Sequence, residues 1–118
     1  MYKEKISSLT GVIDSDDKGI LDDLIECANN YISIVANLEN AMIVAKFHME
    51  ANDYRRHIQN LDNNRRITHN ALIASCNITN RLCKLYDLPP FFDIDLTDRH
   101  LVGDVIFEMI KELFEERR

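Results

Sequence analysis

Between Leu24 and Met49 the residues Leu24, Ala28, Tyr31, Val35, Leu38, Met42, Ala45 and Met49 recur at separations that alternate four and three. Such a repeat keeps one stripe of side chains on one face of an α-helix, whereas a strand turns its faces every second residue. A second stripe follows in Tyr54, Ile58, Leu61, Arg65, Thr68, Leu72, Cys76, Thr79, Cys83 and Tyr86, with one extra step of four from Leu72 to Cys76. Only three glycines and the adjacent pair Pro89-Pro90 punctuate the 118 residues, so little divides the chain into the short elements of a β protein. The fold class read from these features is all-α.

Capping chemistry sets the expected boundaries. Asp14 or Ser15 can cap the first long helix, Asp16, Asp17, Asp22 and Asp23 suit its positive end, and Asn52-Asp53 reads as a stop, which gives a helix over about residues 17 to 51. The second long helix continues to the proline break. At ~1.5 Å per residue each would run on the order of 50 Å, and so short a turn between them forces an antiparallel hairpin. Residues 88–97 read as an ordered loop that anchors Phe91 and Phe92 on the bundle. Thr97 or Asp98 then caps a third helix of about 20 residues, with Leu101, Val102, Val105, Ile106, Met109, Ile110, Leu113 and Phe114 on a broad apolar face. Residues 1–13 have helical spacing at Ile6, Leu9, Val12 and Ile13 but are too short to hold without packing, so they dock or fray. The whole reads as one domain over 1–118, an antiparallel helical bundle of two long helices and one shorter C-terminal helix plus a short N-terminal segment.

Composition removes several classes of function. With 46% hydrophobic and 29% charged residues the chain is of globular type. A net charge of −6 argues against broad electrostatic binding to nucleic acid or to an anionic membrane. No run approaches the roughly 18 to 20 apolar residues of a membrane span, and Met1-Tyr2-Lys3-Glu4-Lys5 leads into no apolar signal core. The expected address is the cytoplasm. Cys27, Cys76 and Cys83 are an odd set, and the last two would lie about 10 Å apart along a helix, too far for a disulfide. They read as core thiols. Glu-x-x-His pairs and glycine-rich phosphate loops are missing from the sequence, so no cofactor or metal is expected. His100 and Asp104 stand four apart, but two ligands fall short of a metal site. No catalytic residue is assigned, and the balance is against an enzyme.

The helix lengths leave apolar surface over. A third helix of that size cannot cover the hairpin, and if it stays near the open end, the tip remains bare at Met42, Ala45, Phe47, Met49, Tyr54, Ile58 and Leu61. A self-complementary patch of this kind closes with two-fold symmetry, so a homodimer packing two hairpin tips as four helices is the expected partner arrangement. The other way to cover the tip is to fold residues 1–13 or the Phe91-Phe92 loop over it. An unidentified protein partner is the remaining option.

Helix two also breaks its own pattern. From Asp62 to Asn70 it is polar almost all round, and Arg65 and Thr68 occupy positions that continue the stripe from Leu61 to Leu72. A guanidinium in a core cannot shed its charge and needs a carboxylate. Reflection about a turn near Asn52 brings up Glu39, which predicts a salt bridge from Glu39 to Arg65 or Arg66. Asp62 can reach either arginine on its own helix, Arg66 can reach Asn70, and His69 lies on the same side. The leading reading is a polar layer of Glu39, Asp62, Arg65, Arg66, His69 and Asn70 that sets register and partner choice. The alternative is a cationic pocket for a phosphate-bearing ligand or nucleotide, with His69 as a possible acid or base. A bundle nuclease of the HEPN type needs four to six residues between its Arg and His on one helix, whereas three and two separate Arg65 and Arg66 from His69.

Tyr54-Arg55-Arg56, Leu61-Asp62, Arg65-Arg66, His69-Asn70-Ala71-Leu72-Ile73, Asn80-Arg81 and Val102-Gly103-Asp104 together resemble a family of small uncharacterised bacterial proteins known as a domain of unknown function. The resemblance covers most of the chain from helix one to helix three and implies an all-helical fold without implying an activity. It draws attention to Asn80 and to Asp104, which could meet Asn80 or Arg81 if the second and third helices are antiparallel.

Overall fold

The computed structural model describes residues 1–115, which are mostly helical with no strand among them. In chain order the helices are α1 (Tyr2–Thr10), α2 (Lys18–Val44), α3 (Ala51–Leu85) and α4 (Arg99–Glu115), with single 3-10 turns at Ser15–Asp17 and Ala45–Phe47. The long helices α2 and α3 form the antiparallel hairpin expected from their stripes, and α4 lies along its lower half. No helix among these residues is long and apolar enough to cross a membrane.

The hairpin turns earlier than expected. α2 ends at Val44 and the chain reverses through residues 45–50, so Asn52-Asp53 opens α3 and does not close α2. The physical reason is the helix dipole: Asp53 falls in the first turn of α3, where a carboxylate is favoured, and Glu50 with extended backbone supplies the N-cap position. At the other end α3 stops at Leu85, before the prolines. Asp87 takes a left-handed conformation with φ 57°; its N–H bonds the Lys84 carbonyl and the Leu88 N–H bonds that of Cys83, at 3.2 and 2.9 Å. This pair of bonds is the Schellman closure usually built on glycine. Asp98 caps α4 by accepting from the His100 and Leu101 amides.

The core gathers at the open end of the hairpin. Leu9, Leu24, Leu72, Cys76, Phe91, Val102, Ile106 and Met109 are almost or wholly inaccessible. α1 docks there: Glu112 of α4 accepts from the Met1 ammonium at 2.5 Å and from the Tyr2 amide at 2.6 Å, which sets a carboxylate at the N-terminus of α1. The loop after α3 anchors Phe91 and Phe92 against Tyr2, with ring centroids 6.0 and 6.2 Å away. Asn80 clamps that loop, its side-chain amide donating to the Phe92 carbonyl and accepting from the Phe92 N–H.

α4 runs in the same sense as α3, contrary to the antiparallel option. Its first residue, Arg99, bonds Asn70 midway along α3, whereas Glu112 near its end meets α1 beside the aromatic loop. The long connection therefore climbs back along the bundle before α4 descends, so Asp104 faces the middle of the hairpin and not Asn80 or Arg81.

Above this core the hairpin is a bare arm. No residue from Met42 to Thr68 is buried, and the stretch of α3 from Ala51 to Thr68 spans ~27 Å at 1.5 Å per residue. The radius of gyration, 16.8 Å, exceeds the ~13.5 Å of a compact chain of this length. Neither residues 1–13 nor the Phe91-Phe92 loop covers the tip, because both pack at the opposite end.

Candidate functional site

Where the arm meets the core, α2, α3 and α4 enclose a side cleft of about 490 Å³. α3 contributes Arg65, Arg66 and His69, which fall on one face because they stand three and four residues apart. α4 contributes Arg99, His100, Gly103, Asp104 and Phe107 by the same spacing, and α2 sends Tyr31 across the base. Gly103 permits the approach: a Cβ there would lie 3.3 Å from the Tyr31 hydroxyl, tighter than a side chain takes without the neighbour shifting. The Tyr31 ring packs on His69 with centroids 4.8 Å apart and meets the Phe107 ring edge-on at 6.3 Å.

The arginines find their carboxylate on their own helix. Arg65 Nε donates to Asp62 at 2.9 Å and Arg66 stands 3.9 Å from the same carboxylate. Arg66 also donates to the Asn63 side chain at 2.6 Å. The expected bridge from Glu39 does not form: Glu39 is exposed and makes no ion pair among the described residues. The early turn explains this. Moving the reversal about four residues toward the N-terminus shifts the pairing along α2 by twice that, about eight residues or ~12 Å, and puts Tyr31 level with Arg65 and His69 where Glu39 was expected. Asn70 is exposed and accepts from Arg99 at 2.7 Å, while Asp104 is exposed on the α4 wall. The polar stretch is thus an open cleft rather than a sealed layer, with the Arg66 side chain 60% exposed.

His69 is the exception to that openness. It is 4% exposed, and neither ring nitrogen has a hydrogen-bond partner among the described residues. Burial, then the nearby charges of Arg99 and Arg65, hold the imidazole below its ordinary pKa, so it is neutral near pH 7. A backbone group of Arg99 lies close enough to favour the cation slightly, but not in hydrogen-bonding geometry. Tyr31 is shifted the other way, its phenol raised mainly by burial.

The residues missed from the sequence, Tyr31, Arg99, Gly103 and Phe107, belong to elements whose placement spacing does not encode. His100 and Asp104 were visible as a pair and do share the cleft wall. Among the described residues no cluster of three or more metal-ligating side chains occurs. The hairpin-tip candidates lie elsewhere. Met42, Phe47 and Met49 are 51%, 79% and 39% exposed. Tyr54, Ile58 and Leu61 are half-buried between the helices, with the Tyr54 hydroxyl donating to the Met42 carbonyl.

Fold and site define an all-helical protein with a projecting hairpin arm and a polar side cleft. Over residues 2–118 the chain matches the family described as "Protein of unknown function (DUF3232)", and it belongs to that family. No protein of curated function and no solved structure matches it.

Proposed function

We propose that this protein acts in the cytoplasm through protein association, and that its first partner is a second copy of itself, joined through the hairpin arms. The observation that carries the reading is the bare arm: Met42, Ile43, Val44, Phe47 and Met49 are all exposed, on a hairpin without a buried residue from Met42 to Thr68. Contiguous apolar surface of this kind is an interface signature. Charge supports a copy of the same chain. From Glu39 to Leu61 the acids Glu39, Glu50 and Asp53 balance the bases Lys46, Arg55 and Arg56, so two arms can meet without the repulsion that a net −6 imposes elsewhere. Two hairpins laid together complete a four-helix core from half-buried Tyr54, Ile58 and Leu61.

The test is the mass in solution by light scattering. The expected result is twice the chain mass of 13.7 kDa, returning to one chain in the Phe47→Asp, Ile43→Asp double variant with helicity unchanged. A wild-type protein that stays at one chain mass at ~100 μM, a concentration at which even weak homodimers are populated, refutes it.

A further inference from the structure

The cleft is the second place where the fold leaves a requirement unmet. In a chain of net charge −6, three guanidinium groups, Arg65, Arg66 and Arg99, converge on one concavity. Asp62 answers Arg65 at 2.9 Å and Arg66 at 3.9 Å, and Asp104 on the opposite wall pairs with none of the three among the described residues. Arg99 makes no ion pair among the described residues and is held by one bond to Asn70, so most of its donors are free to take an acceptor. Beneath them lies His69, buried with both nitrogens unpartnered. A buried polar group left unpaired is destabilising and in native proteins signals a missing partner.

We propose that this cleft binds the phosphate group of a small molecule, with Arg99 and Arg65 taking phosphate oxygens and His69 donating from the floor. The donors arrive from two helices in different directions, which suits a tetrahedral anion better than a planar carboxylate gripped by a single fork. Tyr31 and the 42%-exposed Phe107 form an aromatic wall for whatever the phosphate carries. Both His69 nitrogens are shut off from bulk solvent, so a phosphate held by the arginines meets them once the side chains above the ring shift. Nothing in this site requires a second copy of the chain, so it stands or falls apart from the association of the arms.

Inorganic phosphate and a nucleoside monophosphate, each titrated at constant ionic strength against the histidine ring resonances of the whole protein, test the proposal. Saturable shifts at His69 and His100, with His48 and His57 on the arm unmoved, are expected below ~20 mM ligand, the range of a weak small-anion site. Arg99→Gln should weaken binding about tenfold, as for loss of one charge-assisted contact, and because Arg99 is exposed the variant keeps the fold. Tighter binding of the monophosphate than of phosphate, lost in Phe107→Ala, assigns the aromatic wall to the organic part; equal affinities assign the site to phosphate alone. No shift at His69 with either ligand, as when a water already completes the imidazole, overturns the proposal. So does a shift that Arg99→Gln leaves unchanged.

Discussion

Asn80→Ala should be among the most damaging substitutions at a residue that is not fully buried. The wild-type side chain makes two bonds to one peptide unit, 3.0 Å to the Phe92 carbonyl and 2.9 Å from the Phe92 N–H. Alanine removes both and leaves a partly buried donor and acceptor without partners. Each bond is worth about 1 kcal/mol net, and the orphaned groups raise the total to about 2–3 kcal/mol. The loop it clamps holds Phe91 and Phe92, 1% and 2% exposed, against α1, so the loss is felt by three elements. With an unfolding entropy of about 2.1 cal/mol/K per residue, 1 kcal/mol corresponds to ~4 °C in this chain, so Tm falls by roughly 8–12 °C. Urea unfolding followed by circular dichroism reads the change as a lower midpoint with unchanged slope. Asn80→Asp sharpens the test: the carboxylate still accepts from the Phe92 N–H but faces the Phe92 carbonyl, which favours its protonated form. Its folded pKa then lies above the unfolded value, so the variant should regain stability as pH falls below about 5, opposite to an ion-paired aspartate. A loss below ~0.5 kcal/mol for Asn80→Ala, the range of an ordinary surface change, would refute the clamp.

Core and arm should respond differently to truncation: Leu72→Ala, at a site with no exposure, is expected to cost about 2–5 kcal/mol. Phe47→Ser, 79% exposed, should change the stability of a single chain by no more than ~0.5 kcal/mol, and equal losses in urea titrations would contradict the bare arm. Burial pushes the Cys76 thiol up to about 12, so a thiol reagent at pH 8 should label half-buried Cys27 first and reach Cys76 only on unfolding; rapid native labelling of Cys76 would count against its burial. Because the His69 pKa is lowered in the fold, the unfolded chain takes up its proton more readily. The stability His69 contributes is complete above its unfolded value of about pH 6.5 and is lost as pH falls from there through the lower folded pKa. The urea midpoint should therefore drop more between pH 7 and pH 5 in the wild type than in His69→Phe, and parallel profiles would disprove it.

Much of the fold was legible because it depends on neighbours in sequence. The alternating stripes, the Asp98 cap and the scarcity of glycine and proline each act within one or two helical turns, and the structure carries them where they were expected, except that Ala45 and Met49 of the first stripe fall in the turn. The bare tip was also legible, since it follows from comparing the length of the hairpin with that of the helix meant to cover it. Where the reading slipped, the signal was ambiguous in a definable way. Asn52-Asp53 suits a helix end of either polarity, and only its dipole preference, an acid at a first turn, separates start from stop.

The sequence by itself determined that the chain is helical and that Arg65, Arg66 and His69 share a face, because both follow from a period of about 3.6 residues, and that two long helices fold back on one another, because the turn between them is short. Only the tertiary structure decided what those side chains face. A shift of the turn by several residues replaces Glu39 with Tyr31 opposite Arg65, and a loop that climbs before α4 descends brings Arg99, His100 and Asp104 to the same place. Neither is encoded locally: hairpin register and the direction of a helix after a long loop are set by which packing buries most, and here one core at the open end joins Leu24 of α2, Leu72 of α3 and Ile106 of α4 to Tyr2, Phe91 and Phe92.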